Sequence, residues 1–180
     1  MKARWPLILL TSVLSVHAGC AEPERTDRAG EDDASEDPEE LELDEDAILD
    51  RGRDFENTLV QLSDGPEFEE THADAAAVVV WGSQDVLELF ESIDPDDPTQ
   101  SIQFPPGTMF VKQHLDEEGE TRGLTMMYRG EPGYYEDGGD WFWARLDDDV
   151  PTDVGRVEWC SGCHAAAYNT NFVVGFGKSP

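Results

Sequence analysis

Two cysteines and a histidine stand together near the end of the chain, in the order Cys160-Ser161-Gly162-Cys163-His164. The spacing has a mechanical reason, because two thiols can add across the two vinyl groups on one edge of a porphyrin while the adjacent imidazole is carried under the iron on one turn of helix. The pattern therefore predicts one covalent haem c, with Cys160 and Cys163 as thioether residues and His164 as an axial iron ligand. The fold must enclose that group.

The same cysteines are also compatible with thiol-disulfide chemistry. Trp159-Cys160-x-x-Cys163 is similar to a thioredoxin-type redox motif, in which the first thiolate lies at a helix start and attacks disulfides. That motif belongs near the beginning of its domain and is followed by a cis-proline, whereas residues 165–179 contain no proline. A thiol-disulfide protein without haem stays open as an alternative.

A tetrahedral zinc site is a further alternative. It would need four ligands, drawn from Cys160, Cys163, His164 and one of His72 or His114. Because adjacent residues such as Cys163 and His164 rarely both reach one tetrahedral metal, the spacing fits zinc less well than haem.

The N-terminus has the layout of a secretory signal, with Met1-Lys2-Ala3-Arg4 before an apolar run from Trp5 to Val16. Residues 1–20 are therefore predicted to be a signal peptide, and no later apolar run approaches the ~18 residues that span a bilayer. The signal ends in Ala18-Gly19-Cys20, which resembles a bacterial lipobox, so Cys20 is predicted to be lipidated; ordinary cleavage is the alternative. We expect an exported, periplasmic protein that meets a membrane only through its lipid anchor, with the outer membrane favoured.

Acidic side chains dominate the segment that follows. Residues 22–50 hold 15 acidic residues against Arg25 and Arg28, with few large apolar residues, so residues 21–50 are predicted to be a disordered linker. An acidic docking arm is the alternative. The net charge of −29 excludes nucleic acid as a natural partner, since a phosphate-binding surface needs clustered Lys and Arg.

From residue 51 to residue 180 the composition is typical of a globular domain, and the sequence patterns predict a single α+β, mainly β domain. Stretches rich in β-branched and aromatic residues predict strands over residues 75–81, 108–115, 123–129 and 140–146. The last three are joined by turns, which favours a small antiparallel sheet with flanking helices, one of them capped by Ser83. Period-two alternation places Lys112 and His114 on one face of their strand. It also places Trp141 and Trp143 together, opposite Phe142.

From residue 104 onward, four matching stretches occur in order: Phe104-Pro105-Pro106-Gly107-Thr108 through Lys112, then Met127 to Tyr134, then Gly139-Asp140-Trp141-Phe142-Trp143, and Cys160 to His164. In order and spacing, over about 75 residues, they resemble the cytochrome P-460 family, which includes the NO-binding cytochromes c′-beta. The resemblance implies a mainly antiparallel β domain, often a homodimer, that encloses a haem whose distal side can stay open.

The resemblance also implies roles for two further residues. In members that oxidise hydroxylamine a lysine is cross-linked to the porphyrin, and Lys112 stands at the matching position; a surface lysine on a strand end is the alternative. Those members use a distal carboxylate to remove protons, and many family sequences have Glu where this chain has Phe142. An apolar distal wall at Phe142 would suit a neutral diatomic ligand such as NO.

No Met follows His164, whereas an ordinary cytochrome c supplies its sixth ligand from a later Met. We expect the earlier Met109, Met126 and Met127 to be core filler, and His114 to be either a sixth ligand or a solvent-exposed or hydrogen-bonded histidine. An open iron that binds or oxidises small nitrogen species, with a redox partner protein, is the first hypothesis. A six-coordinate electron carrier is the second.

Overall fold

The structure is a computed structural model that describes residues 41–66 and 75–175. Its strands form one antiparallel sheet in which each strand pairs with its neighbour in sequence. The strands are β1 (Val60–Gln61), β2 (Ala77–Gly82), β3 (Met109–Leu115), β4 (Thr121–Arg129), β5 (Trp141–Asp147) and β6 (Val150–Gly155). The α+β, mainly β class and the antiparallel sheet predicted from the sequence are confirmed.

Short helices flank the sheet. They are α1 (Glu45–Arg53), α2 (Phe55–Thr58), α3 (Leu87–Glu91) and α4 (Glu158–His164), with 3-10 turns at Gln84–Val86, Glu136–Gly138 and Ala165–Thr170. Ser83 does not cap the first of these turns with its side chain. Its Oγ accepts from the Met109 main-chain N–H at 2.9 Å instead, which ties the start of that turn to β3. None of the helices in the described part of the chain is long and apolar enough to cross a membrane.

Side chains alternate across the sheet and build a separate apolar cluster on each face. The first cluster packs α1 and α2 against the sheet and contains Ile48, Leu49, Met109, Val111, Met126, Phe142, Ala144 and Leu146. The second contains Phe90, Phe104, Phe110, Met127, Trp141, Trp143, Cys160 and Val173. Cys160 therefore packs on the second face of the sheet, which we call the motif face.

Helix α1 lies partly inside the segment expected to be a disordered linker. Asp44 caps it by accepting from the Ala47 N–H, and Ile48 and Leu49 are buried against the sheet. The expectation that disorder continues to residue 50 is therefore wrong for residues 45–50, because two apolar side chains within an acidic run bury one face of the helix. The expected signal peptide, Cys20 and residues 21–40 lie outside the described residues.

The long turn between β4 and β5 is organised by Asp140, which has a left-handed φ of 54°. Its Oδ1 accepts from the N–H groups of Gly133 at 3.1 Å and Tyr135 at 3.0 Å. Its Oδ2 lies 3.1 Å from Nη1 of Arg129, and both side chains are largely buried. This ion pair connects Arg129, the last residue of β4, to Asp140, which directly precedes the aromatic residues at the start of β5.

Candidate haem site

Helix α4 carries the whole motif and follows directly on β6. Gly155 ends that strand with a φ of 98°, a conformation that favours glycine, and the chain then turns back over the motif face. Cys160 and Cys163 are three residues apart on this helix, so their side chains project from neighbouring positions. Cys160 is buried and Cys163 is exposed, and both are free thiols.

The environment of Cys160 is unlike that of a redox-active nucleophile. Burial raises the pKa of the Cys160 thiol to about 12, with further contributions from Asp153 and Cys163. Thioredoxin-type motifs need the opposite shift, because the thiolate is the attacking species. The geometry therefore favours a protonated thiol held in an apolar cluster over a disulfide exchanger.

The imidazole of His164 is oriented by a hydrogen bond to the main chain. Its Nδ1 lies 2.8 Å from the carbonyl oxygen of Phe172. Because a carbonyl oxygen only accepts, Nδ1 carries the proton and Nε2 keeps its lone pair, the arrangement typical of metal-bound histidines. Burial lowers the pKa of His164, and the charge of Lys112 lowers it further while the Phe172 hydrogen bond opposes. The neutral ring suits an iron ligand.

A tight turn at Asn171 and Phe172 holds that carbonyl in place. Both residues have left-handed φ values, 54° and 67°. The Asn171 side-chain oxygen accepts from the Phe104 N–H at 3.1 Å, and its main-chain oxygen accepts from the Trp141 indole at 2.7 Å. The sequence analysis did not single out Asn171, although Asn is among the residues that most often adopt this φ.

Trp143 packs against His164 from the sheet side. Its ring and that of His164 meet edge to face, with centroids 4.8 Å apart and an interplanar angle of 65°. Trp143 is 3% exposed, and its Nε1 has no hydrogen-bond acceptor among the described residues. A buried N–H without a partner is unusual in folded proteins, and the protein atoms around Trp143 keep water from reaching this one.

Lys112 and Arg145 lie on the motif face, in one row across the sheet. Both pair with Thr125, Lys112 from β3 and Arg145 from β5, so the three side chains share a face. The charge of Lys112 acts on His164 and that of Arg145 on Cys160. The row places two cationic side chains beside the motif, and the guanidinium of Arg145 is also ion-paired, with its Nε 3.0 Å from Oδ1 of Asp147.

Phe142 does not lie at this site. It is fully buried in the cluster with α1, on the sheet face opposite Cys160 and Trp143. The expectation of a distal wall at Phe142 is therefore wrong for this geometry, because period-two alternation turns Phe142 away from the residues on either side of it. Trp143 is the β5 side chain that meets His164.

The remaining candidate ligands divide between the two faces. Met109 and Met126 belong to the cluster on the α1 side, whereas Met127 packs in the cluster that contains Cys160. His114 is buried, and its Nε2 lies 3.1 Å from Oγ1 of Thr125. His72 lies outside the described residues. Within residues 41–66 and 75–175, no three His, Cys, Asp or Glu side chains form a metal-binding group, zinc included.

The donor set fits covalent haem. Two thiols project from one helical turn, and the adjacent imidazole presents Nε2. The sequence matches no known protein-family model. It matches no curated protein either. The functional assignment therefore rests on the motif and its geometry.

Proposed function

We propose that the chain is an exported mono-haem c-type cytochrome, similar to the cytochrome P-460 family, that binds or oxidises small nitrogen species such as hydroxylamine or NO at an open iron. The observation that carries the proposal is the Nδ1–Phe172 hydrogen bond of His164, next to two free thiols on the same helix. A general-purpose surface histidine would not be oriented and kept neutral in this way.

The residues of the site have separate tasks in this proposal. Cys160 and Cys163 would hold the haem by thioether bonds, each formed by addition of the S–H across a vinyl group with no net oxidation. Nε2 of His164 would bind the iron. Lys112 and Arg145 would provide positive charge to offset the two haem carboxylates. When bound, haem supplies an iron centre that can hold a small ligand and exchange an electron.

Lys112 has a second proposed role, the cross-link to the porphyrin that the resemblance to hydroxylamine-oxidising members of the cytochrome P-460 family implies. Forming it would replace one N–H of the amine and one C–H of the porphyrin by an N–C bond, a two-electron oxidation for which a peroxide would be the oxidant. Its place on the motif face and its effect on the His164 pKa support this role. Replacing Lys112 with Ala should then change the absorption spectrum of the haem-loaded protein well beyond a small band shift. An unchanged spectrum would leave Lys112 only as a positive charge.

The second candidate is a six-coordinate electron-transfer cytochrome. It needs another protein ligand, and two motif-face side chains have suitable atoms, Met127 and His114. The hydrogen bond of His114 to Thr125 favours the open-iron proposal over His114 ligation. High-spin iron in an electron paramagnetic spectrum, with rapid binding of NO or CO to reduced protein, would support the open iron. Low-spin iron that Met127→Ala converts to high spin would support the alternative.

A denaturing gel tests haem attachment directly. The full chain is expressed with c-haem maturation machinery and stained for haem-dependent peroxidase activity, which detects only covalently bound haem. We expect a stained band for the wild type and for Cys20→Ala, which removes lipidation alone. Cys160→Ala with Cys163→Ala should give no stain, and an unstained wild-type band would refute the proposal.

A further inference from the structure

The turn at Asn171 and Phe172 is strained, since both residues have left-handed φ values, 54° and 67°. Asn adopts this conformation fairly often, whereas a bulky side chain such as that of Phe is an outlier there. An outlier of this kind persists only where the surrounding structure holds it, and such positions cluster at functional sites. The groups that hold this turn therefore bear on the function of the motif face.

The turn directs one carbonyl oxygen at the proposed iron ligand. The oxygen of Phe172 lies 2.8 Å from Nδ1 of His164. A hydrogen bond from this nitrogen raises the basicity of the imidazole, because drawing the Nδ1 proton toward the acceptor leaves more electron density on Nε2. The direction of the Phe172 carbonyl thus controls how strongly Nε2 can donate to a metal.

Two donors from other parts of the fold hold Asn171. Trp141 is fully buried and donates its indole N–H to the main-chain oxygen of Asn171 at 2.7 Å. The Phe104 N–H donates to the side-chain oxygen of the same residue at 3.1 Å. Because the Asn171 oxygen and the Phe172 N–H belong to one planar peptide unit, the indole fixes the plane that leads into Phe172. The next carbonyl along the chain is the one that meets His164.

We propose that Trp141 is a positioning residue for His164, because its N–H holds Asn171 and thereby keeps the Phe172 carbonyl directed at Nδ1. This inference rests on the proposed haem attachment, in which Nε2 binds the iron. It assigns to a core tryptophan an effect on the electron density of the iron ligand, which ordinary packing of a buried indole would not produce.

The test removes the Trp141 N–H and keeps the shape of the side chain. Position 141 is replaced by β-(3-benzothienyl)alanine, which has sulfur in place of the N–H, and by Phe as a genetically simple variant. Trp81 is the matched control, because its Nε1 donates to Oε1 of Gln113 at 3.2 Å and its ring packs against the cluster on the α1 side. The same replacements at position 81 remove an indole hydrogen bond on the other face of the sheet.

In the haem-loaded chain, both replacements at position 141 should raise the reduction potential, because a weaker Nδ1 hydrogen bond makes His164 a poorer donor to iron. Resonance Raman spectra of the reduced, five-coordinate protein should show a lower iron–histidine stretching frequency. The replacements at position 81 should shift neither quantity.

The haem-free chain gives a readout that does not depend on iron. Nitrogen NMR of the wild type should show His164 as the Nδ1–H tautomer, since the Phe172 carbonyl accepts from that nitrogen. The replacements at position 141 should shift the ring toward the Nε2–H tautomer, which free imidazole side chains prefer in water. A wild-type ring in the Nε2–H form would overturn the inference without any substitution.

Two further results would overturn it. If position 141 behaves as position 81 in protein that stains for haem, Trp141 contributes only to the stability of the fold, and the proposed function is unaffected. If the wild-type band never stains for haem, the proposed function fails, and this inference fails with it because His164 then holds no iron.

Discussion

Nδ1 of His164 and the carbonyl oxygen of Phe172 lie 2.8 Å apart, and this hydrogen bond leaves Nε2 as the available nitrogen. The carbonyl is directed by a turn in which Asn171 and Phe172 are both left-handed. Histidine ligands are commonly oriented by such partners, whose loss weakens metal sites. The orientation of the His164 imidazole therefore depends on the turn at Asn171 and Phe172.

That dependence makes Asn171 a sensitive position. Asn171→Ala removes the acceptor of the buried Phe104 N–H, which should cost about 1–3 kcal/mol in the free energy of unfolding. Ala also tolerates a left-handed φ poorly, so Asn171→Gly should be less destabilised than Asn171→Ala. Urea denaturation of haem-free protein measures both. Asn57→Ala, which loses only an exposed hydrogen bond to Asp54, should change stability by no more than about 0.5 kcal/mol.

The buried ion pair between Arg129 and Asp140 should be costly to break. Asp140→Ala leaves the Arg129 guanidinium largely buried without its carboxylate, and we expect a loss of about 3–5 kcal/mol. Asp140→Asn keeps an oxygen for the turn and tolerates the left-handed φ, so its loss should be smaller. In the same assay Arg122→Ala breaks an exposed pair with Asp148 and should cost less than about 1 kcal/mol. Equal losses for Asp140→Ala and Arg122→Ala would contradict the structure.

Substitution by alanine at two helical glycines, Gly52 and Gly162, should change the stability of the protein in opposite directions. A Cβ at Gly52 in α1 would meet Sδ of Met126 and lie 2.9 Å from Cε of Met109, both in the closed core, so Gly52→Ala should destabilise by about 1–3 kcal/mol. A Cβ at Gly162 in α4 would meet nothing within 4 Å. Gly162→Ala should therefore stabilise haem-free protein by up to about 1 kcal/mol through helix propensity. Thermal unfolding of the two variants shows whether each substitution lowers or raises the stability of the protein.

The raised pKa of Tyr134 predicts that the stability of the folded protein depends on pH in the alkaline range. Burial raises its pKa from 10.0 to about 12, with Glu45 adding to the shift. Between these values the folded protein holds the phenol proton more tightly than the unfolded chain does, so stability falls as pH rises through the window. Tyr134→Phe should lose stability less steeply than wild type between pH 10 and about 12. Parallel stability–pH curves would contradict the burial of this phenol.

Helix α1 should contribute to the core in spite of its acidic sequence. Leu49→Ala empties a buried position and should cost about 2–5 kcal/mol, measured by urea denaturation. Leu41 is 44% exposed, and Leu41→Ala should stay within about 0.5 kcal/mol. If Leu49→Ala left the stability unchanged, residues 45–50 would behave as the linker that their composition suggests.

The central strands could be read from the sequence because their alternation is local. The same alternation placed Trp141 and Trp143 together and Phe142 apart, and the structure agrees. A distal role for Phe142 came from family resemblance and disregarded that alternation. Strand β6 was not predicted, since Pro151 and neighbouring acidic residues suggest a loop. It lies at the edge of the sheet, the position where a strand best tolerates proline.

The sequence by itself determined the chemistry that is available: two thiols and an imidazole at a spacing that belongs to one helix, and strands whose faces follow from a period of two. Tertiary structure decided which nitrogen of His164 is available and which indole lacks an acceptor, because those properties depend on Phe172 and Asn171 folding back to the sheet. Hydrogen bonds between separate elements depend on distances that no local pattern encodes.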